Sequence, residues 1–499
     1  MGKYLDQNQV FPLAMGNEEE TGLMIDTYGE MSEPDDLVSD LEYLIPTELV
    51  GFSSNAHNFL LNGSKVYPGG SEESMGFGNL ERATPECKLP KDIVPYDKAS
   101  QYLLEQIVKT YLKSESSDNH TVNARIQRRV VDSHGNRKAS HDNFGIANNT
   151  PLNVPGKNNY ATASILEHFA TRSLVTGAGM VTDTRFKYAQ KIGGLLDINS
   201  YSYRGSMFRT SREEGGYRFE VRCSDINISD WAVWMRMGST ALVLALNQTP
   251  LEKELDKYVP QNYDSILLRT KQVNNAKLGK NGRLTATPEQ IAAIDFQQYI
   301  AELAMDELPR YVGEIPHDYF NVAMELYNFC QDYKSVVSGQ SEINLLADRA
   351  DWAAKLSFIL RGIEKDRDFG INRQTTDIEA RAADLRYDSI EYSAKNGEVK
   401  NPVYGNGYRM RDKGIFRRTV SPIAIQKAYR NAPSDTRANQ RSKILSKYVV
   451  ANCDWATVSV LITGNARHHV SMDDVTQPEL KKYESESLAL NAQLRIRER

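Results

Sequence analysis

Apolar residues recur along this chain with two periods, and the dominant period changes partway. In the first part alternation prevails. Residues 217–223 place Phe219, Val221 and Cys223 on one side and Glu220 and Arg222 on the other, as in a half-buried strand. Residues 9–25 read as a strand interrupted by Gly16, and 122–131 as a further strand. Residues 58–67 read as two short strands around Asn62-Gly63, a pair that favours a tight hairpin turn. The glycine-rich stretch 68–79 is expected to be loop. Helical spacing intervenes in places. Residues 97–112 carry the stripe Leu103, Leu104, Ile107 and Leu112, with Asp97 as a candidate cap. Another helix is expected from about Ser32, with Pro34 and Asp35 in its first turn, and another over 161–176. Ser229 or Asp230 is expected to cap an apolar helix running to Leu246.

From about Thr287 the helical period takes over, at 288–308, 319–336, 343–361 and 376–387. Thr287-Pro288-Glu289 is an apt helix start, with proline at the first helical position and an acid in the first turn. A basic run follows at 411–418. The expected class is therefore α+β, strand-rich first and helix-rich second. The expected division is a large unit over 1–415 and a small C-terminal domain with a charged helical tail over 416–499.

Composition narrows the classes. Hydrophobic residues make up 40% and charged residues 25%, which excludes a disordered or collagen-like chain. With 65 acidic and 60 basic side chains the net charge is -5, which argues against a general nucleic-acid binder. The four cysteines, Cys87, Cys223, Cys330 and Cys453, are dispersed, so there is no CxxC knuckle, and such sparse use suits a reducing compartment. No stretch approaches 18 apolar residues and no basic-then-apolar leader is apparent. A cytoplasmic protein with no membrane partner is expected.

The candidate chemistry lies in carboxylates on expected strands. No Walker A motif, dinucleotide fingerprint, HExxH or GxSxG is present. Glu18 and Glu20 are two apart, so on a strand they share a face about 6.6 Å from each other. A hard cation between them would relieve their repulsion, and magnesium takes oxygen ligands and bridges phosphates. The competing reading is three solvated glutamates at a turn. Further clusters are Glu81-Arg82-Ala83-Thr84-Pro85-Glu86-Cys87, His141-Asp142-Asn143-Phe144, and Arg222 with Asp225 and Asn227 before a helix N-terminus. Each has an ordinary alternative: Glu81 a surface acid, His141 a cap, Arg222 with Glu220 an internal salt bridge.

Taken in order, these segments resemble the family of the Pup ligase and the related Pup deamidase/depupylase of proteasome-bearing bacteria. Residues 16–22 resemble the family's Gly-Ile-Glu-Thr-Glu-Phe/Tyr-Gly. Residues 53–67 resemble its Phe-Leu-x-Asn-Gly-Ala-Arg-Leu-Tyr hairpin. Residues 81–87 resemble Pro-Glu-Tyr-Ala-Thr-x-Glu-Cys, and 140–144 resemble His-Glu-Asn-Tyr. Thr171-Arg172 with Gly177-Ala178-Gly179, Asp384-Leu385-Arg386-Tyr387 and residues 432–438 also have counterparts. The resemblance spans roughly residues 14–463.

The resemblance implies a glutamine-synthetase-like curved antiparallel sheet cradle, backed by helices, in a catalytic domain ending near residue 415. It implies ATP with Mg2+. Glu18, Glu20 and Glu81 fall at positions where the family gathers metal and phosphate. Arg222, Arg437 and His141 fall at candidate nucleotide-facing positions. The implied reaction forms an isopeptide bond between the γ-carboxylate of a glutamate in a Pup-like, small, acidic, disordered protein and a lysine amine of a protein substrate. ATP makes the carboxylate a usable acyl donor as an acyl phosphate. The lysine must then lose a proton, so a carboxylate base is expected.

One departure matters. The family's catalytic aspartate after the hairpin tyrosine falls at Gly69, and an insertion with Glu72 and Glu73 follows. Three outcomes stay open. Glu72 or Glu73 supplies the missing group, the chemistry needs none, or the chain is a nucleotide-binding pseudoenzyme. Smaller departures include Arg82 for tyrosine, which would neutralise a phosphate or compete with a metal, and Asp142 for glutamate. The short spacing between the opening motif and the hairpin is ligase-like, whereas Pro85 is deamidase-like. Ligation is expected, with hydrolysis of the same bond or of a glutamine amide as the alternative.

Overall fold

A computed structural model describes residues 4–27, 30–32, 41–54, 57–69, 78–117, 120–131, 138–147, 163–182, 185–192, 207–213, 216–259, 263–278, 283–365, 378–462, 466–480, 485 and 488. Its centre is an antiparallel sheet of 13 strands. The opening strand, Ala14–Thr27, is the hub because it is 14 residues long. On one side its first half pairs with Ser140–Ala147 and its second half with Thr121–Gln127. On the other side it pairs with Gly78–Ala83. The sheet then runs outward through Gly216–Ser224 and Phe208–Glu213 at one end. At the other it runs through Lys65–Pro68, His57–Leu60 and Val50–Ser54. The expected hairpin around Asn62-Gly63 is formed, and Gly63 takes a φ of 82° that glycine tolerates.

The sheet also recruits a strand from the helix-rich half. Ser389–Lys395 pairs with Thr121–Gln127, burying Ile390, Tyr392 and Ala394. Strands of so few residues are faint in a sequence read for helical period, so the two-part division of the chain is interleaved in space.

Helix Pro90–Glu115 packs behind the sheet. Leu103, Leu104, Ile107 and Leu112 face Leu23, Ile25 and Ile126 as the spacing predicts. The helix starts earlier than expected, with Pro90 in the first turn, so Asp97 is not its cap. Asp97 is spent on the sheet: Asn17 Nδ2 donates to it at 3.0 Å and Lys98 Nζ lies 3.0 Å away. Helix Asp230–Leu246 is buried at every residue, and Ser229 caps it by accepting from the Ala232 N–H. Gly238 lets it lie against His317–Ser338, since a Cβ there would stand 2.5 Å from Val322. Thr287 forms a full capping box with Gln290 at the start of Pro288–Glu302. The helix expected over 288–308 changes character at Leu303–Glu307, a wider turn just before Pro309. Of the helix expected from Ser32, Leu41–Leu44 is formed, and 33–40 lie outside the described residues.

The small C-terminal unit is a three-stranded sheet, Val450–Cys453, Thr457–Leu461 and Arg467–Ser471, with helix Arg437–Lys447. Its core of Ile444, Leu445, Val458 and Val460 closes on Phe59 and Leu61 of the large sheet. No helix among the described residues is long and apolar enough to cross a membrane.

Candidate functional site

Alternation divides the opening strand into two chemistries. Asn17, Glu19 and Thr21 are buried behind the sheet. Glu18 and Glu20 point to the open face, with side chains 15% and 20% exposed. Directly opposed residues in antiparallel strands share a face. Glu18 opposes His141 and Ala83, Glu20 opposes Glu81, and Asn143 opposes Glu220. Pairing alone therefore gathers four glutamates and a histidine from four strands.

His141 lies among the acids. Its Nδ1 is 3.5 Å from Glu18 and 3.4 Å from Glu220, and its Nε2 is 3.8 Å from Glu20. Burial alone would lower its pKa. The hydrogen bond it donates to Glu18 and the charges of Glu20, Glu18 and Glu220 prevail and raise it. Burial also pushes the Glu18 carboxyl up, but the hydrogen bond and charge of His141, the Arg218 charge and a hydrogen bond with Glu81 hold it below the usual range. Arg218 stands 3.8 Å from both Glu18 and Glu220. The second oxygen of Glu20 accepts from the Ala139 N–H at 2.8 Å. Among the described residues, no group of three or more acids, histidines or cysteines converges on one point as a metal cage. The donors are nonetheless carboxylate oxygens fixed to adjacent strands, the donor type a hard divalent cation takes.

Other sequence candidates fall as follows. Arg222 is on the same strand and face as Glu220, with Nε 3.5 Å from its carboxylate, so the internal salt bridge is what the structure contains. Arg437 begins the small-unit helix and donates from Nε to Glu86 at 2.8 Å while bordering the cavity described below. Glu72 and Glu73 lie outside the described residues, which end on that side at Gly69.

Two expectations are corrected. Arg82 does not reach the open face. It is buried behind the sheet, 2.5 Å from Glu19, which also pairs with Arg128 at 2.7 Å. Asp142 is likewise buried, against Arg236 at 3.0 Å and Arg172 at 3.4 Å. They oppose the buried Glu19 and Asn17 of the opening strand, so the same pairing and alternation that put Glu18 and His141 on the open face bury them. Glu220, Arg218 and Lys65 were missed as site residues. The alternation at 217–223 already placed Glu220 with Arg222, but only strand pairing brings it to Glu18.

Two hollows flank the carboxylates on this face. A cavity of about 650 Å³ lies between the sheet and the small unit, bordered by Glu18, Lys65, Tyr67, Arg218, Arg437 and Trp455. That volume suits a small-molecule ligand. The Lys65 ammonium lies 4.5 Å from the Tyr67 ring centre and 5.3 Å from that of Phe59. Burial lowers its pKa, opposed by Glu18 and Glu81. Farther along the opening strand, beyond Glu20, a hollow of about 440 Å³ is bordered by Met24, Arg125, Arg129, Lys138, Arg386 and Glu391. Gly22 leaves room there for Lys138, whose Nζ would stand 2.5 Å from a Cβ. Four cations border that hollow with one acid; Arg125 pairs with that acid, Glu391, at 2.9 Å, and Arg129 pairs with the buried Asp384 at 2.6 Å.

Residues 21–459 match the family described as Pup-ligase protein. A Pup–protein ligase of Bifidobacterium longum (strain NCC 2705) is 23% identical over 466 residues, covering 89% of this chain and 88% of that protein. A Pup–protein ligase of Corynebacterium diphtheriae is 24% identical over 424 residues, covering 82% and 81%. Among solved structures, the complex of the prokaryotic ubiquitin-like protein Pup with its ligase PafA superposes with a TM-score of 0.74 at 21% identity, covering 97% of this chain and 94% of that one. PafA in complex with ADP superposes with a TM-score of 0.64 at 21% identity, covering 92% and 94%. The fold is thus the expected α+β arrangement, an antiparallel sheet with backing helices, and it is the fold of the PafA structures.

Proposed function

The chain belongs to the Pup-ligase family, and from that premise we propose that it is an ATP-dependent ligase joining a Pup-like protein to lysine side chains. The observation that carries this reading is a row of carboxylates on one sheet face, lying between a ligand-sized cavity and a cationic hollow. ATP belongs in the 650 Å³ cavity, beside Lys65, Arg218 and Arg437. Mg2+ belongs with Glu18, Glu20, Glu81 and Glu220, whose oxygens suit it; when bound it neutralises charge on the phosphoryl oxygens. The glutamate end of an acidic partner approaches from the hollow of Arg125, Arg129, Lys138 and Arg386.

A γ-carboxylate oxygen of the partner attacks the terminal phosphorus and ADP leaves. The lysine nitrogen then attacks the acyl carbon, phosphate leaves, and the amine proton passes to a base. His141 and Arg218 hold the carboxylates of Glu18 and Glu220 in place on the face. Gly69 has no side chain to act as that base, so we assign the role to Glu72 or Glu73 of the insertion. We place the chain in the cytoplasm. Its four cysteines are buried free thiols, which suits a reducing setting.

The test is ADP formation with Mg2+, using an acidic Pup-like peptide ending in Glu or in Gln, with and without a lysine acceptor. ADP and coupled product from the Glu form are expected. Ammonia from the Gln form without coupling would make the protein a deamidase, and ATP binding without either product a pseudoenzyme. Glu72→Ala with Glu73→Ala should abolish turnover and leave ATP affinity unchanged; full turnover would remove the insertion from the chemistry.

A further inference from the structure

Arg437 and Arg441 stand four apart in helix Arg437–Lys447, so both look out from one side of it. Their surroundings differ. Arg437 borders the ligand-sized cavity, whereas Arg441 is fully buried and is not on that border. A buried guanidinium must find acceptors for its N–H groups, and Arg441 finds them on three separate segments. Its Nη1 donates to the Trp455 carbonyl at 2.8 Å and to Glu86 Oε1 at 3.2 Å. Its Nη2 donates to Glu86 Oε2 at 2.7 Å and to the Gly63 carbonyl at 3.0 Å. Aromatic rings cover it as well. The guanidinium lies 4.9 Å from the Trp455 ring centre and 5.6 Å from that of Phe59, and the two rings meet edge-on at 5.2 Å.

Each of these segments leads to a wall of the cavity. Gly63 lies in the turn between His57–Leu60 and Lys65–Pro68, and the second of those strands brings Lys65 and Tyr67 to the cavity. The turn is set tightly against the small-unit helix, since a Cβ on Gly63 would stand 3.1 Å from that of Ala438. Glu86 and Trp455 border the cavity themselves. Adhesion alone does not account for a charge at this junction. Ile444, Leu445, Val458 and Val460 already close on Phe59 and Leu61. An apolar group of similar volume in place of a buried ion pair is often neutral or stabilising. Apolar contact lacks direction, whereas the planar fork of an arginine fixes the angles at which its acceptors stand.

We propose that Arg441 is a positioning residue for the nucleotide: by tying Trp455, Glu86 and the Gly63 turn together, it sets how far the small unit stands from the hairpin across the cavity. This role rests on the placement of ATP in that cavity. Arg441 acts through Trp455 and the hairpin, so it governs nucleotide affinity and not the chemical step. The chain carries its own probe of that hold. Of its four tryptophans, Trp231, Trp234 and Trp352 are buried and Trp455 alone is half-buried. Quenching of tryptophan fluorescence by acrylamide therefore reports on Trp455.

The experiment uses the full chain and Arg441→Lys, which keeps a charge beside Glu86 and loses the fork. Without ligand, the variant's quenching constant should rise at least about twofold. The KM for ATP should rise about tenfold, while the maximal rate of coupling an acidic peptide to a lysine acceptor changes by less than about twofold. Trp455→Ala should also weaken binding of an ATP analogue. The two substitutions together should cost less than the product of their separate effects, because one acts through the other. A purely structural role would lower the unfolding midpoint and the maximal rate and leave the KM for ATP where it was. Should Arg441→Lys not fold, Glu86→Gln loosens the same hold and is expected to move quenching and KM in the same direction. Unchanged quenching, an unchanged KM for ATP, or effects that simply multiply would each overturn the proposal. A parent chain that binds no ATP would overturn the placement of the nucleotide, and quenching would still decide whether Arg441 holds Trp455.

Discussion

Glu18 shows how much one residue's parity decides. A neighbour on either side, Asn17 or Glu19, is locked behind the sheet, whereas Glu18 stands on the open face between His141, Glu220 and Arg218. Burial pushes its carboxyl up, but His141 and Arg218 hold it below the usual range, which favours the charged form a hard cation binds. Glu18→Gln keeps the volume and removes the charge. Mg2+-dependent ATP affinity should fall at least about tenfold, or about 1.4 kcal/mol, in calorimetric titrations with and without Mg2+. Equal affinity in the variant would take Glu18 out of the site. Glu19, with the same chemistry one residue on, serves the fold: Arg82 and Arg128 neutralise it where burial would otherwise be costly.

At the scale of elements, local signals were most readable where the chain punctuates itself. Thr287, with Pro288 and Gln290, forms the capping box that its spacing announces. Thr287→Ala removes an acceptor from the Gln290 N–H and should cost about 0.5–2 kcal/mol in denaturant unfolding, with ATP binding unaffected. A loss under about 0.2 kcal/mol would mean that tertiary packing alone holds the helix start. Readability failed where long-range pairing overrides local pattern. Asp97 looks like a cap, yet lies two full turns into the helix that starts at Pro90, bonded to Asn17. Ser389–Lys395 is strand because Thr121–Gln127 offers it an edge, and nothing in its seven residues announces that partner.

At the scale of the molecule, one acid adds a charged clamp to the apolar contact between the small unit and the sheet. Glu86, at the end of the Gly78–Ala83 strand, accepts from Arg437 at 2.8 Å and from Arg441 at 2.7 Å. Burial would raise its pKa, but Arg441 and Arg437 lower it from 4.5 to about 2. A depressed carboxyl contributes stability that is present above 4.5 and lost as pH falls toward about 2. At 1.36 kcal/mol per pH unit this is on the order of 3 kcal/mol. Glu86→Gln should therefore be less stable than the parent at pH 7, with the gap closing between pH 4.5 and 2 in isothermal unfolding. A gap that stays constant with pH would mean that the clamp's charge contributes nothing. The same contact borders the ligand-sized cavity, so the clamp also sets the cavity's far wall.

The sequence by itself determined the class of most elements and, in the strands it revealed, which alternate positions share a face. Glu18, Glu20, Glu81 and His141 were legible because alternation and a run of weak, ordered motifs are local properties. Tertiary structure alone decided which of those faces met. It brought Glu220 and Arg218 to Glu18, gave the buried Arg82 and Asp142 their partners Glu19 and Arg236, and moved the basic run at 411–418 to the rear of helix Pro90–Glu115. The physical reason is range. A side chain's face follows from its own backbone, but its neighbours across a sheet are chosen by pairings between strands as far apart as Thr121–Gln127 and Ser389–Lys395.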